Sequence, residues 1–379
     1  AVLVAGVLVV LGLPFLRVEF GTTDDRQLPP GAQSRQVQDV IRADFTGRPT
    51  GVVDIVLRGA DPAVDTAVGG YAQRLSALPD VAVVDTPLGP YRQGARADTA
   101  TPADALRRSG DLAHLSVSPV AGVEDISPES QRLVRAIRAV DPPVPVYVGG
   151  PAAALVDSQA AIGGRLGVVL ALIALATLVL VFLVTGSLLL AVQALLAGGL
   201  SLTAMFGAVV WIFQDGNGSG LLGFTPTGYI ETSLPVLMFC VAFGLSMDYG
   251  VFLLARIREE HDRTGDHRSA VLLGIQRTGG LITAAALILA VVLAAIGTSQ
   301  ITNTKMLGLG VALAVLVDAT VVRCLLLPAV ISMTGRATWW APPVLRRLYD
   351  RFGLRESPPA GAAAPAPVET LAAPSLTTR

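Results

Sequence analysis

Five apolar runs of about 20 residues or more recur along the chain, and each is long enough to cross a bilayer. They are Ile162–Val184, Leu188–Phe213, Ser233–Leu254, Thr278–Thr298 and Met306–Val330. A sixth run, Ala1–Leu16, covers roughly 24 Å at about 1.5 Å per residue, short of the ~30 Å hydrocarbon core. It reads as the tail of a span whose start lies before residue 1. The alternative, a cleaved signal peptide, lacks a basic leading region and a small-x-small site before Arg17. Only Thr185-Gly186-Ser187 separates Ile162–Val184 from Leu188–Phe213, which are the second and third runs in chain order, so these two are expected to form a tight antiparallel hairpin.

The stretch between the first two runs changes period. Ala32–Phe45 has helical spacing at Val37, Val40, Ile41 and Phe45. Strand Val52–Arg58, helix Asp61–Leu78, strand Val81–Thr86, strand Leu112–Ser118, helix Pro128–Val140 and strand Val144–Val148 follow. Asp61 and Ser127 fit as N-caps, each with proline at the first helical position. The order β-α-β-β-α-β is that of a ferredoxin-like unit. Leu88–Gly110, rich in Arg, Gly and Pro, is expected to be a long loop, functional or mobile. The fold class expected is therefore a polytopic α-helical membrane protein with an inserted α/β ferredoxin-like domain. Its parts are a partial first span (1–16), an α/β domain (17–161), a five-span bundle (162–335), a basic juxtamembrane segment (336–356) and a disordered tail (357–379).

Arginine placement predicts the orientation. Ala255–Arg277 carries Arg256, Arg258, Arg263, Arg268 and Arg277, and the segment after the last run carries Arg336, Arg346, Arg347, Arg351 and Arg355. Residues 214–232 have neither Arg nor Lys. Both termini are then expected on the cytoplasmic side, with residues 17–161 extracytoplasmic. Trp339-Trp340 reads as an interfacial anchor, and Val344–Arg351 as a short basic surface helix.

Composition removes several function classes. Of 379 residues, 52% are hydrophobic and 15% charged, with a net charge of −1, which offers no basic surface for nucleic acid. Cys240 and Cys324 fall in apolar runs, and His114, His261 and His267 are dispersed as loop histidines, so neither a disulfide framework nor a metal site is expected. Lys305 is the only lysine. A phosphate-binding GxxxxGK[ST] loop is therefore impossible, and nucleotide hydrolysis would have to come from a partner. No nucleophile–base pair or GxSxG suggests an enzyme, and no cofactor is expected.

Against this apolar background Asp248 stands out, because an ionised carboxylate in hydrocarbon costs several kcal/mol. Removal from water favours its neutral form, and Tyr249 adds a hydroxyl beside it. The pair points to proton handling; the alternative is an interfacial acid at a helix end. Gly244, Asp248 and Phe252 share one helical face, with Gly244 allowing another helix to approach. Asp318 lies mid-run, beside a small-residue stripe of Gly308, Ala312, Val315 and Ala319 that suits packing against the fourth span. It reads equally as part of a proton relay or as a structural hydrogen-bonding group. On α-helical winding Arg323, five residues on, is turned about 140° from Asp318 and is expected to reach for headgroups instead. Thr283 is a further relay candidate, or a hydroxyl bonded to its own helix. Lys305 reads as an interface anchor at the outer end of the last run.

Gly244–Glu260, GLSMDYGVFLLARIREE, resembles the second Asp-Tyr span of MmpL-type transporters of the RND superfamily. VWIFQDG (210–216), LLGFTPTGY (221–229), RTGGLITAAALILAVV (277–292), LGLGVALAVLVDATVVRCLLLPA (307–329) and TWWAPP (338–343) resemble the same C-terminal half. That family carries two copies of a unit with one span, an extracytoplasmic porter domain and five further spans. The resemblance implies proton-driven export of lipids or other hydrophobic molecules across a bacterial plasma membrane. It implies that Asp248 and Tyr249 are the second copy's proton-relay pair, facing a pair from a missing N-terminal half or a second chain. Gly250 follows the pair where the family often has an acid, and Gln193 and Gly198 replace the frequent Lys and Asn. The competing reading is a non-transporting lipid sensor or scaffold of the same fold.

Overall fold

The computed structural model describes residues 1–44, 51–120, 123 and 125–352. The expected disordered tail from Ser357, and Phe45 of the first outer helix, lie outside these residues. The described residues are mostly helical, with five helices among them long and apolar enough to cross a membrane and a small sheet domain ahead of them. It is a multi-pass membrane protein.

In the sheet domain, β1 (Val53–Arg58), β2 (Val81–Thr86), β3 (Gly89–Arg92), β4 (Ala95–Arg96), β5 (Leu112–Pro119) and β6 (Val146–Gly149) lie in the order β4-β3-β2-β5-β1-β6. Neighbours are antiparallel, with Ile55 opposite Leu115 and Val84 opposite Val117. Alternation along β1 buries Val53, Ile55 and Leu57. These pack with Tyr71 and Leu75 of α3 (Asp65–Ser76) and Val134 and Ile137 of α4 (Pro128–Arg138). Asp61 and Ser127 cap their helical turns through Ala63 N–H and Ser130 N–H, both at 3.2 Å.

Leu88–Gly110 is largely ordered rather than an irregular loop. Gln93 and Gly94 both have positive φ, as a two-residue type I′ hairpin turn requires, and so β3 and β4 extend the sheet. Thr101 and Asp104 then form a reciprocal capping box on a short helix, Pro102–Ala105. The outer helix α2 (Gln33–Asp44) forms near the expected place, but Val37 and Val40 are more than half exposed. Its buried anchor is Arg35, whose guanidinium donates to the Leu28 carbonyl at 2.7 Å and to Thr225 Oγ1 at 3.0 Å.

The short first helix α1 (Val2–Gly12) packs against α6 (Leu188–Val209). Contact is close enough that a Cβ on Gly207 would strike the Leu11 carbonyl. Helix α5 (Pro151–Thr185) starts well before the apolar run and ends at Gly186, whose φ of 66° turns the chain into α6. Helix α7 (Leu234–Thr264) and α8 (His267–Ile296) also continue beyond their apolar runs, so most of the arginine-rich 255–277 segment is helix rather than loop. A left-handed Gly265 ends α7, and Asp266 caps α8 by accepting from Ser269 N–H at 3.0 Å. Buried Glu260 bridges Arg263 and Arg277 across this turn. His261 lies on α7, not in a loop, and stacks on Trp339 at 3.9 Å with Arg258 over the same indole. Only Trp340 of the tryptophan pair faces outward, 58% exposed.

The last span is not one uniform helix. It runs as α9 (Thr302–Val317), then a π-wound segment over Asp318–Leu326, then α10 (Leu327–Thr334). Lys305, read as an interface anchor, lies in its first turn and is buried. Its ammonium donates to the Leu222 and Gly223 carbonyls, ending the short Ser219–Leu222 helix.

Candidate functional site

The two sides of α7 hold different chemistry. Gly244, Asp248 and Phe252 all lie on the exposed side, Phe252 at 43%. A Cβ on Gly244 would meet no atom within 4 Å. Among the described residues no helix comes within that distance of Gly244.

The opposite side turns inward. Ser246 is buried, and Tyr249 packs with Leu253 and Leu254. Facing it are Asp318 and Arg323, each 5% exposed. Arg323 Nε donates to Asp318 Oδ2 at 2.8 Å, and its Nη2 lies 2.7 Å from the same oxygen. Nη2 also donates to the Ser246 carbonyl, and the guanidinium carbon sits 5.5 Å from the centre of the Tyr249 ring. A narrow void in front of the pair is lined by Gly198, Ser201, Ala242, Ser246, Tyr249 and Asp318.

The expectation that Asp318 and Arg323 cannot meet is therefore overturned. The angle of about 140° assumes α-helical winding, whereas π-winding bonds each residue to the one five positions on and brings Asp318 and Arg323 together. Arg323 does not reach for headgroups. The sequence held a usable signal: two opposite charges within one apolar run are costly apart and are expected to pair. Ser246 was missed: its backbone carbonyl accepts from Arg323 and its side chain bonds Asp318, a partnership across two spans that the spacing along one helix does not report.

The small-residue stripe divides between two neighbours: Val315 lines the void shared with Ala242, Ser246 and Tyr249 of α7, while Gly308 meets the fifth span. A Cβ on Gly308 would press on Leu293, Ile296 and Gly297 at the end of the fifth span, not on α7. Ala312 is buried on the same face. Gly310 adds a close contact, set against Met238 of α7 and Val209 of α6. Thr283 spends its hydroxyl on the Gly279 carbonyl at 2.7 Å, while lining a crevice with Arg323 and Cys324. Among the described residues no cluster of His, Cys, Asp or Glu is placed to hold a metal ion.

A second cavity, about 400 Å³, opens between the sheet domain and the helices. Glu19, Arg26, Ser127, Gln131, Gln159 and Tyr229 supply its polar lining. The parallel pairing of Phe20–Gly21 with Ile230–Glu231 ties its walls together. Burial, with the Asp24 carboxylate adding to it, raises the Tyr229 phenol well above its usual range.

Comparison with known proteins places these features in a family. The chain is 40% identical to the Streptomyces coelicolor membrane protein SCO6666 over 94% of its own length and 47% of that protein's. It is 32% identical to the trehalose monomycolate exporter MmpL3 of Mycobacterium tuberculosis, over 92% of this chain and 36% of MmpL3. The chain thus spans less than half the length of these relatives. The crystal structure of a heavy metal efflux pump aligns with a TM-score of 0.47 at 15% identity, over 80% of this chain and 40% of the pump. Residues 26–367 match the MMPL family, and the chain belongs to it.

Proposed function

We propose that this chain is one half of a proton-motive-force-driven exporter of lipids or other hydrophobic molecules, and that Asp248 is its proton-carrying group. The observation that carries the reading is an exposed carboxylate on the side of an apolar helix, flanked by a glycine with open space before it. It lies about 21 Å from the start of α7, within hydrocarbon depth. An acid there, facing lipid alone, would cost several kcal/mol. A facing Asp-Tyr pair from another half would cover it. MmpL3, a relative, is named as an exporter of trehalose monomycolate, which supports a lipid cargo.

In this reading protonation of Asp248 removes its charge and lets the two halves close, and release of the proton parts them. The Asp318–Arg323 pair stands behind Tyr249 as a fixed charged backing. Thr283 lines the crevice on its far side. The arginine distribution supports cytoplasmic termini and an extracytoplasmic sheet domain. α1 as part of a sixth span is supported by its packing on α6. The strand order β2-β5-β1-β6, with α3 and α4 as the connections, supports the ferredoxin-like reading.

Magnitudes constrain how cargo moves. One proton crossing ~100 mV releases about 2.3 kcal/mol. Taking a sixteen-carbon chain from membrane to water costs on the order of 13 kcal/mol. The tail must stay on apolar protein surface, and the cavity beneath the sheet domain would receive the polar headgroup.

The test is Asp248→Asn in the assembled two-half protein, reconstituted with an imposed proton gradient. Loss of gradient-driven export at wild-type expression is expected. Export that persists would remove Asp248 from the coupling, and an output indifferent to the gradient in the wild type would favour a sensor.

A further inference from the structure

The helix that follows the last span, α11 (Pro343–Phe352), has no role in the transport reading. Its sequence, PVLRRLYDRF, carries three arginines against one aspartate. At about 100° per residue, Val344, Leu348 and Phe352 fall within an arc of roughly 80°. All three are exposed, at 76%, 45% and 57%. Arg351 and Arg347 lie within about 60° of the Val344 edge of that arc. The helix is held from its other apolar side. Tyr349 is buried, its ring edge-on to Phe182 at 6.1 Å and pressed against Gly186.

That anchor fixes where the helix lies. Gly186 is the turn between α5 and α6, where two apolar helices end together. The preceding segment is tied to the same turn, because Ser187 Oγ donates to the Thr338 carbonyl and Leu188 N–H to the Trp340 carbonyl at 3.3 Å. Exposed Trp340 stands at this level, where the amphipathic indole suits a membrane–water boundary. The exposed stripe of α11 therefore sits at the rim of the bundle, level with lipid headgroups.

We propose that α11 lies in the plane of the membrane surface and binds anionic phospholipid, with Val344, Leu348 and Phe352 in the acyl boundary and Arg347 and Arg351 on headgroup phosphates. Charge selects the occupant: an apolar stripe bordered by arginines matches an anionic leaflet, which attracts basic juxtamembrane segments. The inference does not depend on the transport reading.

The test uses the full chain with Cys240→Ala and Cys324→Ala, carrying an environment-sensitive fluorophore at Leu348→Cys or at Asp350→Cys. It is reconstituted in phosphatidylcholine alone or mixed with phosphatidylglycerol. In the mixed vesicles brominated lipid should quench the 348 label and iodide the 350 label. Phosphatidylcholine alone should shift the 348 label toward iodide. Arg347→Gln with Arg351→Gln should weaken the phosphatidylglycerol preference by about five-fold per arginine. As a second measure without labels, the unlabelled chain should retain more phosphatidylglycerol through purification than this double variant. Equal iodide access at both positions would overturn the proposal. So would shielding of the 348 label from both quenchers, since protein would then cover the stripe. Lipid contact indifferent to charge would remove the anionic preference and overturn it as well.

Discussion

The two faces of one helix, α7, meet charge in opposite ways. Against the inner face, Asp318 and Arg323 of the last span neutralise each other, and the Ser246 carbonyl accepts a hydrogen bond from the guanidinium. On the outer face Asp248 is exposed beside Gly244 and Phe252, with open space before Gly244 among the described residues. The inner pair finds its counter-charge within this chain, whereas the outer carboxylate lies on an exposed side. A buried charge with its partner in place is costly to strip of that partner.

The sharpest test of that contrast removes one member of the inner pair. Arg323→Leu leaves a buried carboxylate alone, and a loss of about 3–5 kcal/mol in unfolding stability is expected. Joining it to Asp318→Leu should recover most of that loss in denaturant titrations in detergent. If the double variant stays as unstable as the single one, the pair is not the self-contained unit described. A smaller effect is expected from Gly308→Val, because the new side chain meets the backbone of the fifth span. Overpacking of this kind costs about 1–3 kcal/mol, read as a lowered unfolding midpoint. On the outer face, Gly244→Ala and Asp248→Asn should each shift stability of the isolated chain by no more than about 0.5 kcal/mol. A larger loss would mean that this face is already packed. The smallest effect concerns Tyr229 at the outer cavity. Its phenol is raised by burial, so its contribution is present below the ordinary tyrosine range and is lost as pH rises through the higher folded value. In alkaline absorbance titration, Tyr229→Phe should remove a late-ionising phenol. An unchanged late phase would place that group elsewhere.

Much of this architecture was legible from periodicity. The apolar runs located the long helices, and β2 falls on the predicted Val81–Thr86. What escaped depended on contacts distant in sequence or on unusual winding. Glu260 with Arg263 and Arg277 turned an apparent basic loop into two continuing helices. Gln93 and Gly94 could have announced a hairpin, but only a glycine in second place hinted at positive φ. At the site, Asp248 was visible because an acid in an apolar run is costly. The side to which it points was not, since periodicity ranks residues by shared face and leaves the neighbour unnamed. Arg323 was misplaced because the angular rule presumes 3.6 residues per turn, and nothing in DATVVRCLL declares a wider coil.

That wider coil shifts the phase of everything after it. Leu327–Thr334 and the Thr338 turn meet α6 through Thr334 with Gln193 at 3.2 Å and Thr338 with Ser187, and these meetings presume the extra residue upstream. Winding the same residues at ordinary pitch would turn Arg323 about 140° from Asp318. It would also change the phase in which the Thr334 and Thr338 junctions reach α6, so the ion pair and both junctions hang on one local winding.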